Sequence, residues 1–272
     1  MEKAPDAFYM QDESSMLVAH AVCPQPEMTV LDLCAAPGGK TTHLAQLMQN
    51  KGRIYACDIH PHKMELIKEN AVRLGIDIIE PVLMDASVFK PEWADSADCV
   101  LVDAPCSGFG VLRRRAEARW RKNKKDLKVF PPLQKSILQN AARYVKPGGR
   151  LVYSTCTLEQ AENNLLVSEF LKANTEFEYA GFRHPLTGET INELQLLPQR
   201  DNVDALYLRN APQGAVIMKK EIFGLTPEEL QQEFVAAGLK KFRASQVYQW
   251  LYKKCVFKFE EMHNLSKADI AF

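Results

Sequence analysis

The chain has 272 residues, 46% hydrophobic and 25% charged, with no formal net charge at neutral pH. That is ordinary globular composition, enough for one large domain and a small one. No apolar run approaches the roughly 18–20 residues of a membrane helix, the first fifteen residues do not read as a secretory leader, and the seven cysteines are scattered without a Cys-x-x-Cys pair. A disulfide framework and a metal site are therefore not expected, no membrane partner is expected, and the reducing cytoplasm is the expected compartment.

In chain order, a helix is expected to start near Asp12, followed by a strand at Met28–Leu33. Gly38 and Gly39 open a helix that stops by Gly52, and Arg53–Cys57 reads as a second strand ending at Asp58. Pro61 suits the first turn of the next helix and Gly75 the position past its end. Ile78–Leu83 and Asp98–Val102 read as strands three and four. A helix beginning around Pro131-Pro132 should end before Pro147-Gly148-Gly149, and Arg150–Thr155 reads as strand five. Thr157-Leu158-Glu159-Gln160 has capping-box spacing and is expected to open a helix at once. Glu176–Ala180 and Ala205–Leu208 are weaker strand candidates. Strands alternating with helices predict an α/β fold with a doubly wound, mostly parallel sheet, whose ligands bind beyond the carboxyl ends of the strands.

After Arg209 the texture changes. Residues 210–217 read as a linker between a catalytic domain at 1–209 and a small helical module at 218–272. Within that module a capping box at Thr226-Pro227-Glu228-Glu229 announces a helix at about Pro227–Ala237. A second is expected at Ser245–Lys254 and a third from near Ser266.

The chemistry-bearing residues fall at strand ends. Strand one runs into Asp32-Leu33-Cys34-Ala35-Ala36-Pro37-Gly38-Gly39-Lys40-Thr41, where small residues let the backbone approach a ligand at a helix start. Gly39-Lys40-Thr41 imitates the end of a nucleotide P-loop, but that motif needs glycine at the position of Cys34. Asp58 can accept both ribose hydroxyls of an adenosyl ligand, and Asp85 the adenine amine. Either acid alone is more often a helix cap; two in successive loops after a glycine-rich turn favour adenosyl binding.

Strand four ends in Asp103-Ala104-Pro105-Cys106 and strand five in Ser154-Thr155-Cys156-Thr157. A lone cysteine is usually a small buried hydrophobe, the reading given to Cys23, Cys57, Cys99 and Cys255. A thiol on the working edge of a sheet is different. Carbon 5 of cytosine becomes nucleophilic only after something adds to carbon 6, and a thiolate both adds and leaves well. The expected helix start beside Cys156 would favour its thiolate. Directly after the first thiol loop, residues 111–128 hold nine Lys or Arg and two acids. This run, with Arg113, Arg114, Arg115, Arg119, Arg121 and Lys122, is either a solvated basic face or a phosphate-binding segment. Trp120 is either a base-stacking platform or a core tryptophan.

From about Phe8 to Leu208 the chain resembles the catalytic domain of bacterial 16S rRNA cytosine-5 methyltransferases of the Sun or RsmB type. The resemblance rests on Gln11-Asp12-Glu13-Ser14-Ser15, Leu31–Thr41, Asp103–Arg115 and Ser154-Thr155-Cys156-Thr157. It implies a Rossmann-like class I fold, S-adenosyl-L-methionine as cofactor and RNA, small-subunit rRNA, as partner. It implies that Cys156 attacks carbon 6 and that Cys106 helps expel the enzyme after methyl transfer. It further implies that Asp103 and Lys40 contact the target base, and that Asp32, Asp58, Asp85 and the Cys34–Lys40 turn hold the cofactor. The chain departs from the family pattern at Ala116 and at Asp204-Ala205-Leu206, and it lacks the N-terminal RNA-binding region that family members carry before the core. Residues 218–267 resemble the N-terminal accessory domain of RlmN-type radical methyltransferases, without the cysteine motif that would hold an iron–sulfur cluster. Two other readings stay open: a pyrimidine methyltransferase with Cys106 as nucleophile, and an RNA- and cofactor-binding remnant without turnover.

Overall fold

The structure, a computed structural model, describes residues 8–112, 120, 126–185, 187–191, 193–196, 204, 206–209, 216–219, 227–236 and 240–253. Two compact units are distinguished, residues 1–220 and residues 221–272.

The first unit is built on a seven-stranded sheet. Strands β1 (Thr29–Asp32), β2 (Arg53–Asp58), β3 (Ile79–Leu83), β4 (Ala97–Asp103) and β5 (Val145–Ser154) run parallel in the spatial order 3-2-1-4-5. The order reverses between β1 and β4, and the crevice at such a switch point is where a doubly wound sheet binds ligands. Helices α1 (Glu13–Val22), α2 (Gly39–Leu47), α3 (Pro61–Arg73), α4 (Asp126–Tyr144) and α5 (Asn164–Ala173) accompany the strands.

Strand residues alternate between two apolar layers. Leu31, Val100, Val102, Leu151 and Tyr153 pack with Ile137, Leu138, Ala141 and Tyr144 of α4. Val30, Ile54, Leu101 and Val152 face the other way, onto Val18, Ala19 and Val22 of α1 and Leu44, Ala45 and Met48 of α2. Both faces are covered, which is why these strands read as unbroken apolar runs.

Several expectations shift. Helix α4 begins at Asp126, so Pro131 and Pro132 lie inside it. Each proline removes one amide donor, a loss the helix survives near its first turns, with Gln134, Ile137 and Leu138 buried beyond. The capping-box spacing at Thr157–Gln160 does not open a helix. Thr157 Oγ1 instead meets Ser107 Oγ at 2.7 Å, a short 3-10 turn spans Gln160–Glu162, and α5 starts at Asn164. No helix therefore starts beside Cys156 to favour its thiolate. Strand β5 starts earlier than expected, at Val145, with an irregularity opposite Ala97 and Cys99 that absorbs Pro147-Gly148-Gly149.

Beyond α5, β6 (Phe177–Tyr179) forms where a weak strand was expected. β7 (Phe182–Arg183) pairs with β8 (Thr190–Ile191), and β9 (Glu193–Leu196) pairs with β10 (Leu206–Arg209), in two small sheets. β11 (Val216–Lys219) inserts antiparallel between β5 and β6. Residues read as the end of a linker and the start of the tail module thus complete the main sheet, because β5 offers an open edge and Val216-Ile217-Met218 has the apolar character to fill it.

In the second unit, α6 (Pro227–Ala236) and α7 (Lys241–Lys253) pack together, with Leu230, Ala244 and Val247 buried. The helix expected near Ser266 lies outside the described residues. Among the described residues no helix is long and apolar enough to cross a membrane.

Candidate active site

Sheet register builds the site. Asp103 and Ser154 are direct partners at the carboxyl ends of β4 and β5. The chain leaves both strands there, and Cys106 and Cys156 follow three and two residues later. Similar reach from adjacent strand ends brings the thiols together: their sulfurs are 3.2 Å apart. Gly110 N donates to Cys156 O at 3.0 Å and Ala104 N to Ser154 O at 2.9 Å, so the backbones of the two loops are also tied.

Asp103 sits at the centre. Its Oδ1 accepts from Ser154 Oγ at 2.7 Å, and its Oδ2 accepts from Lys40 Nζ at 2.7 Å. Burial, the largest single influence, would lower the Lys40 pKa, but the charge and hydrogen bond of Asp103, with the charges of Cys156 and Asp32, together outweigh it and hold the ammonium above its ordinary range. Lys40 also couples electrostatically to Cys156. A fixed cation therefore stands by to stabilise a thiolate there, the role that the missing helix end does not fill.

Two thiols this close cannot ionise independently. The hydrogen bond to Cys156, reinforced by burial, raises the Cys106 thiol well above its ordinary value.

The glycine-rich turn lies beside this centre. Ala35 N donates to Cys57 O, carrying the chain from β1 across β2, and Gly38 N donates back to Ala35 O, both at 2.8 Å. Pro37 O accepts from Asn70 Nδ2 at 3.0 Å. Gly38 has φ +102°, in the left-handed region that favours glycine, and caps α2. A side chain at Gly39 would collide with the ring of Tyr9.

A cleft of about 240 Å³ opens at the switch point, lined by Cys34, Ala36, Asp58, Asp85, Asp103 and Pro105 with Met84, Leu133 and Ile137. Asp58 Oδ1 accepts from His60 N at 2.9 Å and its Oδ2 lies 3.7 Å from Lys63. Asp85 Oδ1 accepts from Ser87 N at 2.8 Å and from Ser87 Oγ. Each carboxylate is thus both a local cap and part of the cleft wall. Asp32 is buried at the end of β1, its Oδ2 accepting from Thr41 Oγ1 at 2.7 Å, while its buried Oδ1 has no hydrogen-bond partner. Burial pushes its pKa up to about 7. An orphaned buried carboxylate oxygen, with two more acids in the cleft wall, fits a ligand carrying positive charge and hydroxyl or amine donors.

Of the basic segment, Trp120 is 91% exposed, which removes the core reading. Arg113, Arg114, Arg115, Arg119, Arg121 and Lys122 lie outside the described residues.

Sequence reasoning missed the polar frame behind the loops. Ser107, Gln134, Thr155, Thr157, Glu162 and Asn163 are all buried and hydrogen-bonded to one another or to the thiol loops. The signal was present in α4, where Gln134 interrupts an otherwise apolar face.

The family described as 16S rRNA methyltransferase RsmB/F matches residues 19–211, and the ribosomal RNA large subunit methyltransferase N-terminal domain matches residues 220–269. Over 173 residues the chain is 49% identical to the probable ribosomal RNA small subunit methyltransferase B of Bacillus subtilis (strain 168), covering 62% of this chain and 38% of that protein. It is 40% identical over 180 residues to the tRNA (cytosine(72)-C(5))-methyltransferase NSUN6 of Mus musculus, 62% of this chain and 37% of that one. The crystal structure of NSun6 from Pyrococcus horikoshii with SFG aligns with TM-score 0.66 at 30% identity, over 78% of this chain and 53% of the other. The chain spans less than half the length of these curated relatives. With the parallel sheet, the paired strand-end thiols and a match over most of its length, the chain belongs to the 16S rRNA methyltransferase RsmB/F family.

Proposed function

We propose that the first unit, residues 1–220, forms the catalytic domain of a methyltransferase acting on carbon 5 of cytosine in RNA, with small-subunit rRNA as substrate, and that the helical tail is an accessory module. The observation that carries this reading is the pair of sulfurs 3.2 Å apart beside the Lys40–Asp103 ion pair. S-adenosyl-L-methionine, when bound, supplies the methyl group. Asp58 and Asp85 would hold its ribose and adenine, Asp32 its cationic end, and the Cys34-Ala35-Ala36-Pro37-Gly38-Gly39 turn would let it approach the backbone.

Cys156, as thiolate, forms a bond from sulfur to carbon 6 of the cytosine. The electron pair displaced from the 5,6 double bond makes carbon 5 nucleophilic, and carbon 5 takes the methyl group. Asp103 and Lys40 hold the base and support the charge of the adduct. Cys106 is, or stands beside, the base that removes the carbon 5 proton. The electrons of that C–H bond then restore the double bond and expel Cys156 as thiolate.

The basic segment with Arg113, Arg114, Arg115, Arg119, Arg121 and Lys122 would neutralise phosphates, and the exposed Trp120 would stack on a base taken out of its helix. One relative is named for a tRNA cytosine, so tRNA is the second substrate to try. The test is labelled methyl transfer to small-subunit rRNA, tRNA and DNA. Cys156→Ala should abolish transfer, while Cys106→Ala should accumulate a covalent protein–RNA complex. Accumulation in Cys156→Ala would reverse the roles. Cofactor binding without transfer to any RNA would leave a binding remnant.

A further inference from the structure

Adjacent residues at the end of the 3-10 turn grip the two thiol loops separately. Glu162 is fully buried. Its Oε2 accepts from Ser107 N at 2.8 Å, the residue after Cys106, and from Gln134 Nε2 at 2.9 Å. Gln134 Nε2 also donates to the carbonyl of Pro105, the residue before Cys106, at 2.9 Å. Asn163 does the same for the other thiol. Its side-chain oxygen accepts from Thr155 Oγ1 and its Nδ2 donates to Thr157 O at 3.0 Å, the two residues flanking Cys156. Ser107 Oγ and Thr157 Oγ1, 2.7 Å apart, staple one loop to the other. Tyr153 OH donates to the Glu162 carbonyl at 2.8 Å and fixes the turn to β5.

A buried carboxylate is costly unless its hydrogen bonds are strong, and one oxygen here, Oε1, has no hydrogen-bond partner. A leucine there would leave the buried Ser107 amide without an acceptor and take one from Gln134. Ser107 N is an amide donor in a loop with no strand or helix to satisfy it, and a carboxylate is the strongest acceptor a side chain can offer it.

We propose that Glu162 and Asn163 are positioning residues that set the two thiols against each other, Glu162 through the Cys106 loop and Asn163 through the Cys156 loop. The proposal rests on the two-thiol reading of the site. It assigns the two residues to different steps. Loosening Glu162 slows release, which depends on Cys106. Loosening Asn163 slows adduct formation, which depends on Cys156.

The test compares Glu162→Gln, Gln134→Leu and Asn163→Ala with wild type and Cys106→Ala in the full chain. Two readouts are taken: the steady-state fraction of protein bound covalently to RNA, and the rate at which diamide links Cys106 to Cys156. In the second, the two thiol hydrogens pass to the N=N bond of diamide as the S–S bond forms, and no RNA is needed. Glu162→Gln should raise the covalent fraction toward that of Cys106→Ala, and Asn163→Ala should lower it. Both should slow the diamide linkage by about tenfold, the scale expected for weakening the charge-assisted hydrogen bonds of Glu162 or for losing the two neutral ones of Asn163. Gln134→Leu should follow Glu162→Gln, and it carries the Cys106 arm if Glu162→Gln does not fold. Diamide linkage at the wild-type rate, or covalent fractions shifting the same way in both arms, would overturn the proposal. Failure of Cys106→Ala itself to trap RNA would instead count against the function proposed above, leaving the diamide rates to decide the positioning.

Discussion

Asp32 shows how one buried side chain couples stability to pH. Its folded pKa is pushed from 3.8 to about 7 by burial. The folded state therefore holds this proton more tightly than the unfolded chain. The contribution to stability is fully present below about pH 3.8 and is lost as pH rises through 7, up to about 4 kcal/mol. Asp32→Asn cannot ionise and keeps an acceptor for Thr41. Its melting temperature relative to wild type should rise between about pH 4 and pH 7 and level off above that; a difference independent of pH would refute the shift. Such an acid, like Lys40, Asp103, Cys106 and Cys156, was legible in the sequence because chemistry at a strand end stands out against apolar flanks. Glu162, Gln134 and Asn163 were not, because their role depends on loops that meet only in three dimensions. The capping-box spacing at Thr157 misled for the same reason: its hydroxyl is taken by Ser107, fifty residues away in sequence.

Among the elements, the five parallel strands and the helices α1 to α3 were legible because each carries its own punctuation. Gly52 is an example. It has φ +104°, and a side chain there would run into the carbonyl of Met28. Gly52→Ala should cost about 1–3 kcal/mol through backbone strain and that collision, measured by denaturant unfolding; an unchanged midpoint would show that the turn relaxes. Leu101, fully buried in β4, is the packing counterpart, and Leu101→Ala should cost about 2–5 kcal/mol. The start of α4 was misplaced because proline near a helix start usually marks its first turn, whereas the helix here begins five residues further back. β11 was missed because a short run with three apolar residues has no period of its own and gains its structure from pairing with β5 and β6.

For the whole molecule, zero net charge conceals a strongly basic segment next to the thiol loops. If about six of its cations each neutralise a phosphate, affinity for single-stranded RNA should fall by two to three orders of magnitude between roughly 50 and 200 mM salt. Trp120→Ala should weaken binding without changing that slope, since stacking releases no counterions. A salt-independent affinity would return the segment to a solvated face. The account turns on which sulfur joins the base. Cys106→Ala incubated with small-subunit rRNA and cofactor, digested with nuclease and protease and read by peptide mass spectrometry, should carry its nucleotide on the peptide containing Cys156. A nucleotide found instead on Cys106, in protein lacking Cys156, would contradict it.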